Sequence, residues 1–312
     1  MKKFLVTGGD GFIGTGICEM LSNNNIAVTS IDNRSRNKKF NINNSYKSIN
    51  CDITKMESLM KIPGTFDAIV HLAFINGTKY FYEKPDEVMK VGIIGTYNII
   101  NYAQKKKIKN FYISSSSEVY QKPNNLPTNE NEIMKVPDAY NPRYSYGASK
   151  IITELMSIHF GKKIFKKMVI FRPHNVYGPN MGNEHVIPEI INKIKYAIKN
   201  KKKYIKVQGT GNETRSFNYI DDFVQGVSIL LKSKLKFETF NIGNNDEIKI
   251  DKLIKIIMRI MNVKLKIKYG NLRVGSTSRR CPDITKIKKL GYTQKIFLEE
   301  GLRKTIDWYI KN

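Results

Sequence analysis

The feature that most constrains this chain is a glycine-rich turn near its amino terminus. Residues 7–14 read Thr-Gly-Gly-Asp-Gly-Phe-Ile-Gly, between an apolar run and an amphipathic stretch. Glycine allows a tight turn and a close approach to a pyrophosphate, and the amino end of the following helix favours an anion. An ordinary tight turn can have a similar glycine-rich sequence, but the predicted strand before the turn and the predicted helix after it favour a dinucleotide-binding turn.

The first half of the chain alternates short β-branched runs with longer amphipathic runs, which is typical of a parallel sheet covered by helices on both faces. We predict strands at 4–7, 27–32, 68–73, 110–115 and 168–172, and helices at 13–21, 88–104 and 146–159. A helix near 187–199, a strand near 238–242 and a last amphipathic helix follow. The predicted fold is α/β, a doubly wound parallel Rossmann sheet with a smaller C-terminal α/β substrate lobe.

The end of the second predicted strand indicates the cofactor. Asp32 lies 18 positions after the last glycine of the turn. A carboxylate there accepts hydrogen bonds from an adenosine ribose and repels a 2′-phosphate, which favours NAD over NADP. Arg34 and Arg36 lie nearby and weaken that preference. Asp52 and Ile53, after the third expected strand, are candidates to contact the adenine, and a surface aspartate before a helix is the alternative.

Tyr146 and Lys150 are four positions apart and therefore share one face of a helix. A phenol has an ordinary pKa of about 10, and a neighbouring ammonium favours the phenolate. The pair therefore predicts a general base for a hydroxyl group. An incidental tyrosine with a solvated lysine would have the same spacing. The serine run 114–117 favours the catalytic interpretation, because it ends a predicted strand where open α/β sheets bind ligands.

Together these motifs resemble the extended short-chain dehydrogenase/reductase family, the NAD-dependent nucleotide-sugar epimerases and dehydratases. The resemblance covers essentially the whole chain. The further motifs on which the resemblance rests are Asp32-Asn33, His71-Leu72-Ala73, Ser-Ser-Ser-Ser-Glu-Val-Tyr at 114–120, Arg-Pro-His-Asn-Val-Tyr-Gly-Pro at 172–179, Arg-Ser-Phe-Asn-Tyr-Ile-Asp-Asp at 215–222 and Arg-Arg-Cys-Pro-Asp at 279–283. We assign 1–172 to the NAD-binding domain, with 218–243 returning to it, and 173–217 and 244–312 to the nucleotide-sugar lobe.

The resemblance implies roles for individual residues. Ser116, Tyr146 and Lys150 take the places of the catalytic triad, and Glu118 is a further candidate acid or base. The implied cofactor-binding residues are Gly8, Gly11, Phe12, Ile13, Asp32, Asn33, Asp52, Ile53, Leu72, Ala73, Tyr146 and Lys150. The implied substrate-binding residues are Asn175, Arg215 and an arginine at 279 or 280 (Arg279 or Arg280). Guanidinium forks suit a diphosphate, and a buried structural salt bridge is the alternative for each arginine. No metal site is predicted.

Two positions depart from the family pattern. Gly92 stands where many relatives carry asparagine, ahead of Gly95-Thr96. Ser117-Glu118 stands where one branch of sugar 4,6-dehydratases has an Asp-Glu pair, and Ser-Glu is shared with other dehydratases and with decarboxylases. The reaction that follows oxidation of the sugar is therefore left open.

The predicted reaction is NAD-dependent oxidation at C4 of a nucleoside-diphosphate sugar, giving a 4-keto sugar that a dehydrogenase releases or an epimerase reduces again. Segments 73–82 and 174–188 resemble bacterial enzymes that act on GDP-heptose or related surface-polysaccharide precursors, so a GDP-sugar is the favoured substrate. The alternatives are a nucleotide-sugar 4,6-dehydratase or decarboxylase and, in another class, a non-catalytic subunit that binds NAD or a nucleotide sugar. The resemblance also implies a homodimer or a dimer of dimers, paired through helices at about 85–105 and 146–161.

The chain is strongly basic, with 53 Lys and Arg against 27 Asp and Glu, and a formal net charge of +26. Such a surface attracts phosphate, but the lysines are spread over nearly every segment, so we predict solvated lysines and a small anionic substrate rather than nucleic acid. No run reaches the roughly 18 apolar residues of a membrane span, and the chain begins with a strand rather than a signal peptide. We therefore expect a cytoplasmic enzyme without membrane contact, whose three scattered cysteines are reduced.

Overall fold

The computed structural model describes residues 1–35, 45–272 and 275–312. Within them, the strands are β1 Lys3–Thr7, β2 Ala27–Asp32, β3 Lys47–Asn50, β4 Ala68–His71, β5 Asn110–Ser114, β6 Lys167–Pro173, β7 Val176–Tyr177, β8 Tyr204–Val207, β9 Thr214–Ser216, β10 Asn218–Tyr219, β11 Phe237–Ile242, β12 Glu247–Lys249, β13 Lys266–Tyr269 and β14 Arg279–Arg280. The α-helices are α1 Phe12–Asn23, α2 Met56–Met60, α3 Thr78–Glu83, α4 Pro85–Lys105, α5 Ser145–Ile164, α6 Val186–Lys199, α7 Ile220–Lys232, α8 Ile250–Ile260, α9 Thr285–Lys288 and α10 Leu298–Lys311. Short 3-10 helices span Ser117–Val119 and Pro142–Tyr144.

A seven-stranded sheet forms the centre of the molecule, in the order β11-β6-β5-β4-β1-β2-β3. All its neighbouring strands are parallel. The chain runs outward through β2 and β3 and returns to pair β4 on the other side of β1, so the strand order reverses at β1. Open sheets bind ligands beyond the carboxyl ends of their strands at such a reversal. This topology confirms the predicted doubly wound α/β fold.

Two apolar cores hold the sheet between its helices. Phe4 and Val6 of β1 lie in one core, which α1 and α7 cover, whereas Leu5 lies in the other, under α4 and α5. This alternation follows from the period of two along a strand. Burial of one such side chain contributes roughly 1.5–3 kcal/mol to the stability of the fold. The two cores therefore hold the strands, and with them the strand ends at which the site lies, in place.

A smaller lobe is formed by segments that lie before and after β11 in the sequence. Its helices α6, α8 and α10 bury apolar side chains such as Ile191, Ile254 and Leu302 in the same core that α1 and α7 cover. Strand β9 pairs antiparallel with β12 and parallel with β14, and β8 pairs with β13. Because the lobe shares a core with the sheet, β9 and β14 are held firmly relative to it.

The predicted elements are confirmed with shifted ends, and β4 shows why the ends shift. We predicted a strand through Ala73, but β4 ends at His71. The Leu72 N–H is shared between the carbonyl oxygen and the hydroxyl of Thr7, and the Ala73 N–H donates only to that hydroxyl, at 3.1 Å, so the chain leaves the strand direction there. In the described parts of the chain, we find no helix long and apolar enough to cross a membrane.

Candidate active site

The glycine turn joins β1 to α1 in a conformation that requires glycine. Gly8 has a φ of 70°, and a Cβ there would lie 2.8 Å from the backbone of Ala73. A Cβ at Gly14 would lie 2.1 Å from the carbonyl oxygen of Gly8. Helix α1 begins at Phe12 after Gly11, which has no side chain to cap the amino end. Backbone N–H groups there are the usual receptor for a pyrophosphate.

The end of β2 carries the acidic group that we predicted to select NAD. The carboxylate of Asp32 accepts a hydrogen bond from the Arg34 N–H at 2.7 Å, and burial raises the pKa of Asp32. The Arg34 guanidinium points to Asp10, with Nε 3.0 Å from its Oδ2. Asn33 accepts a hydrogen bond in the turn that follows. Arg34 is thus bound to a carboxylate, whereas Arg36 lies outside the described residues.

The other predicted cofactor residues line the neighbouring strand ends. Leu72 and Ala73 are tied to Thr7 beside the glycine turn. Asp52 follows β3 and uses its carboxylate to cap the next turn. Ile53 is buried beneath α4. All of these residues lie at the carboxyl edge of β1 to β4.

Helix α5 presents Tyr146 and Lys150, both buried, with 4% and 3% of their surfaces exposed. Lys150 Nζ donates a hydrogen bond of 2.6 Å to the carbonyl oxygen of Ser114 at the end of β5. It lies 5.7 Å from the centroid of the Tyr146 ring. Burial lowers the pKa of Lys150 to about 7, and the charge of Glu154 only partly opposes it. An amine that titrates near neutral pH therefore lies one helical turn from the phenol.

The serine loop packs closely against the start of α5. Ser116 is buried, and its Oγ accepts a hydrogen bond from the Glu118 N–H at 3.2 Å. Gly147 follows Tyr146, and a Cβ there would lie 2.8 Å from the Glu118 carbonyl oxygen. This absence of a side chain lets the helix approach the loop, so the loop that carries Ser116 packs against the turn of α5 that begins with Tyr146.

Two aromatic residues that the sequence did not single out surround the Tyr146 ring. The ring of Phe81 in α3 stacks on it, with centroids 4.8 Å apart and planes 16° apart. The ring of Phe74 meets it edge to face, with centroids 5.1 Å apart. Both belong to a segment that we noted only for its resemblance to other enzymes. Its aromatic residues gave no sequence signal for contact with the phenol.

A buried cluster of three charges lies beside the serine loop. Arg143 Nη2 donates hydrogen bonds of 3.0 and 3.1 Å to the two carboxylate oxygens of Glu118, and Arg280 Nη1 donates one of 2.8 Å. Burial alone would raise the pKa of Glu118, but Arg280 and Arg143 outweigh it and hold that pKa far below its usual range. Glu118 is therefore ionised at working pH, and it balances only one of the two guanidinium charges.

The structure distinguishes the two arginines that the sequence left as alternatives. Arg280 lies opposite Arg215 in the β14–β9 pairing. Burial, followed by the charge of Arg280, lowers the pKa of Arg215 to about 10. Arg279 is exposed and pairs with Glu247 at 2.6 Å. Because neighbouring side chains on a strand point to opposite sides, only Arg280 joins the cluster with Glu118.

Asn175 lies next to this group of arginines. Its φ is 38°, and its Nδ2 donates a hydrogen bond of 3.0 Å to the carbonyl oxygen of Ser216, the residue after Arg215. Arg143 was missed by the sequence analysis, since a single arginine three positions before Tyr146 carries no recognisable spacing. Among the described residues, no group of three or more His, Cys, Asp and Glu could hold a metal ion.

Comparison with known proteins decides the family. The model of the NAD dependent epimerase/dehydratase family matches residues 4–243, which is more than half of the chain. The chain belongs to this family. Family membership confirms that the protein is an NAD-dependent enzyme, and the glycine turn and Asp32 fit that cofactor on their own geometry.

Individual members of the epimerase/dehydratase family match over nearly the full length. A UDP-glucuronate 4-epimerase of Thermodesulfobacterium geofontis is 31% identical, over 100% of this chain and 97% of its own. A UDP-N-acetyl-alpha-D-glucosaminuronate decarboxylase of Bacillus cytotoxicus is 29% identical, over 99% and 98%. The crystal structure of UDP-glucose 4-epimerase from Thermotoga maritima, with UDP-glucose, is 28% identical, covers 99% of both chains and superposes with a TM-score of 0.89.

Proposed function

We propose that this family member oxidises the C4 hydroxyl of a nucleoside-diphosphate sugar with NAD, and that Tyr146 is the base. The observation that carries the proposal is the buried Lys150, fixed to the Ser114 carbonyl oxygen and one helical turn from Tyr146 at the ligand-binding edge of the sheet. NAD, when bound, supplies the two-electron acceptor for the sugar carbon.

The protein's own residues move the proton. A protonated Lys150 favours the phenolate form of Tyr146, which then accepts the proton of the C4 hydroxyl. Because burial lowers the pKa of Lys150 to about 7, this amine can gain or lose a proton at neutral pH. Ser116 donates a hydrogen bond from its hydroxyl to the sugar oxygen during the transfer and keeps its hydrogen. All three side chains are buried, so little water competes with these interactions.

For the diphosphate we propose Arg215 and Arg280, joined by Arg143. Among the described residues, Arg143 Nη1 and Arg280 Nε are buried without a hydrogen-bond acceptor. Such donors are costly unless a ligand satisfies them, and a guanidinium matches a phosphate or a carboxylate. Glu118 is then an orienting group that holds two arginines rather than the acid or base that we considered from the sequence.

The proposal also ranks the candidate sugars and the possible net reactions. The similar proteins named above act on UDP-sugars, so we place UDP-sugars first and an epimerase or decarboxylase outcome ahead of simple release. GDP-heptose and a role in bacterial surface polysaccharides remain predictions from the sequence. They rest on segments 73–82 and 174–188.

We also retain the proposed division of the chain. Residues 1–172 and 218–243 bind NAD, and 173–217 and 244–312 bind the nucleotide sugar. Strand β11 supports this division because it pairs with β6 at the edge of the central sheet. The proposed cofactor contacts are those listed from the sequence. On this division the charge cluster joins the two parts, since Glu118 and Arg143 come from one and Arg280 from the other.

We propose a homodimer formed through α4 and α5. Five large apolar side chains on these helices are between 38% and 47% exposed, which is unusual for one surface. They are Met89, Ile94, Tyr97, Leu155 and Phe160. The rings of Tyr97 and Phe160 already meet across the two helices at 6.3 Å. Sedimentation equilibrium should give a dimer or a dimer of dimers, and a monomer at micromolar concentration would contradict this.

The reaction is tested with a panel of UDP-, GDP- and dTDP-sugars, GDP-heptose included, incubated with the enzyme and NAD and analysed by mass spectrometry. A 4-keto product lacks two hydrogen atoms, a decarboxylated product lacks carbon dioxide, and an epimer keeps its mass but separates by chromatography. Deuterium at sugar C4 should slow turnover or appear in the reduced cofactor. Products formed while no deuterium reaches the nicotinamide would contradict oxidation at C4, whereas deuterium retained in an epimer would not, because an epimerase returns it to the same carbon.

A further inference from the structure

Helix α4 leaves a gap at Gly92 that an aromatic ring fills. A Cβ built on Gly92 would lie 2.2 Å from Cζ and 2.8 Å from Cε2 of Phe74. Both distances are far below van der Waals contact, and the ring is seated between α4 and α5. No side chain at position 92 fits unless the ring of Phe74 moves.

The seated ring faces the proposed catalytic pair. Lys150 Nζ lies 3.9 Å from the centroid of the Phe74 ring, and the same ring meets Tyr146 edge to face. The face of an aromatic ring is electron-rich and attracts an ammonium, most strongly where water is excluded. Lys150 is buried, so this condition is met.

The other groups around Lys150 leave a role for the ring. The Ser114 carbonyl oxygen accepts one hydrogen bond, and Glu154, one turn along α5, favours the charged form. His71 lies on the β4 side, and burial followed by the charge of Lys150 lowers its pKa to about 3, so it is neutral and adds no repulsion. The Tyr146 ring lies with its centroid 5.7 Å from Lys150 Nζ.

We propose that Phe74, seated in the gap at Gly92, is a positioning residue that holds the Lys150 ammonium beside Tyr146. The inference rests on the proposed function of that pair. The ring attracts the ammonium through its face and keeps water from it. The gap at Gly92 is the condition that allows the ring to lie there.

The first test follows Lys150 itself and needs no substrate. Competitive acetylation with mass spectrometry gives the pH midpoint of the Lys150 amine, expected near 7 in the natural protein. Phe74→Leu keeps the site apolar but removes the ring face, so the midpoint should fall by about one pH unit, a tenfold change. Phe74→Ala admits water, so its midpoint should rise. A midpoint in Phe74→Leu equal to that of the natural protein overturns the proposal.

The second test follows turnover. Phe74→Leu should lower kcat about tenfold and leave KM for the nucleotide sugar unchanged, because the ring acts on the base and not on binding. The control is Phe297→Leu, the same change at a position that is 65% exposed, which should leave both constants unchanged. Equal kcat in Phe74→Leu and the natural protein contradicts the proposal. If thermal unfolding shows that Phe74→Leu does not fold, Phe74→Met serves in both tests.

The gap itself gives a third test. Gly92→Ala should displace the ring and reproduce the loss in kcat of Phe74→Leu. Combining the two changes should cost no more than either alone, because both remove the same contact. Losses that multiply would show that Gly92 acts independently of Phe74. If the natural protein turns over no sugar of the panel, the proposed function fails, and the acetylation midpoints still decide the role of Phe74.

Discussion

Replacing Lys150 by methionine tests the electrostatics of the site through stability. In the folded protein, burial lowers the Lys150 pKa from an ordinary 10.5 to about 7. Between these pH values the unfolded chain binds a proton that the folded chain does not. The free energy of unfolding therefore rises with pH across that window. At about 1.36 kcal/mol for each pH unit, the whole gap corresponds to about 5 kcal/mol.

Lys150→Met removes this titration and keeps a long unbranched side chain. At pH 7 the variant should be more stable than the natural protein by up to about 5 kcal/mol, less the contribution of the lost hydrogen bond to Ser114, about 1.5–3 kcal/mol. Between pH 7 and 9 the natural protein should gain about 2–3 kcal/mol in the free energy of unfolding relative to the variant. Groups that do not interact with Lys150 titrate alike in both proteins and cancel in that difference.

The assay is urea denaturation of nucleotide-free protein at pH 7, 8 and 9, followed by the fluorescence of the single tryptophan, Trp308, in α10. Lys199→Met is the matched control, because Lys199 is exposed at the end of α6. Its stability should run parallel to that of the natural protein at each pH. Parallel curves for Lys150→Met as well would refute the account, since Lys150 would then titrate alike in the folded and unfolded chains.

Three further changes test the rest of the site. Glu118→Gln leaves two buried guanidinium groups without a counter-charge, so the free energy of unfolding at pH 7 should fall by about 3–5 kcal/mol. Because the folded pKa of Glu118 is lowered, this deficit should shrink as pH falls below about 4.5, and a pH-independent deficit would contradict it. Arg280→Ala should raise KM for the nucleotide sugar at least about tenfold, whereas Arg279→Ala should change it less than about twofold; equal effects would count against the assigned geometry. Asp32→Ser should reduce the preference for NAD over NADP about tenfold, measured as the ratio of kcat/KM values, and an unchanged ratio would remove Asp32 from the site.

The sequence predicted the fold well because its signals are local. The glycine turn lies between a strand and a helix, and an alternation of apolar runs sets the parallel sheet. Tyr146 and Lys150 were found for the same reason, since four positions in one helix fix their shared face. Ends of elements shifted where a tertiary hydrogen bond competes with the strand, as at Ala73 and Thr7.

What the sequence did not predict depends on contacts between distant segments. Arg143 and Arg280 both bind Glu118, from positions 25 and 162 residues away in the sequence. No sequence spacing predicts such a cluster. The choice between Arg279 and Arg280 needed the strand pairing. Gly92 was noted only as a departure from a family pattern, and its consequence became visible when Phe74 was seen to fill the space that it leaves.

The central claim is that Tyr146 is the base for oxidation of the sugar. The most direct measurement is the rate of cofactor reduction by Tyr146→Phe in a single turnover with a sugar that the natural protein converts, alongside the binding of NAD and of that sugar. Tyr196→Phe, at a position that is 63% exposed, is the matched control and should keep the natural rate. We predict that Tyr146→Phe binds both ligands normally and reduces the cofactor more slowly by about two to four orders of magnitude. A rate within about threefold of the natural one, with binding intact, would contradict the claim.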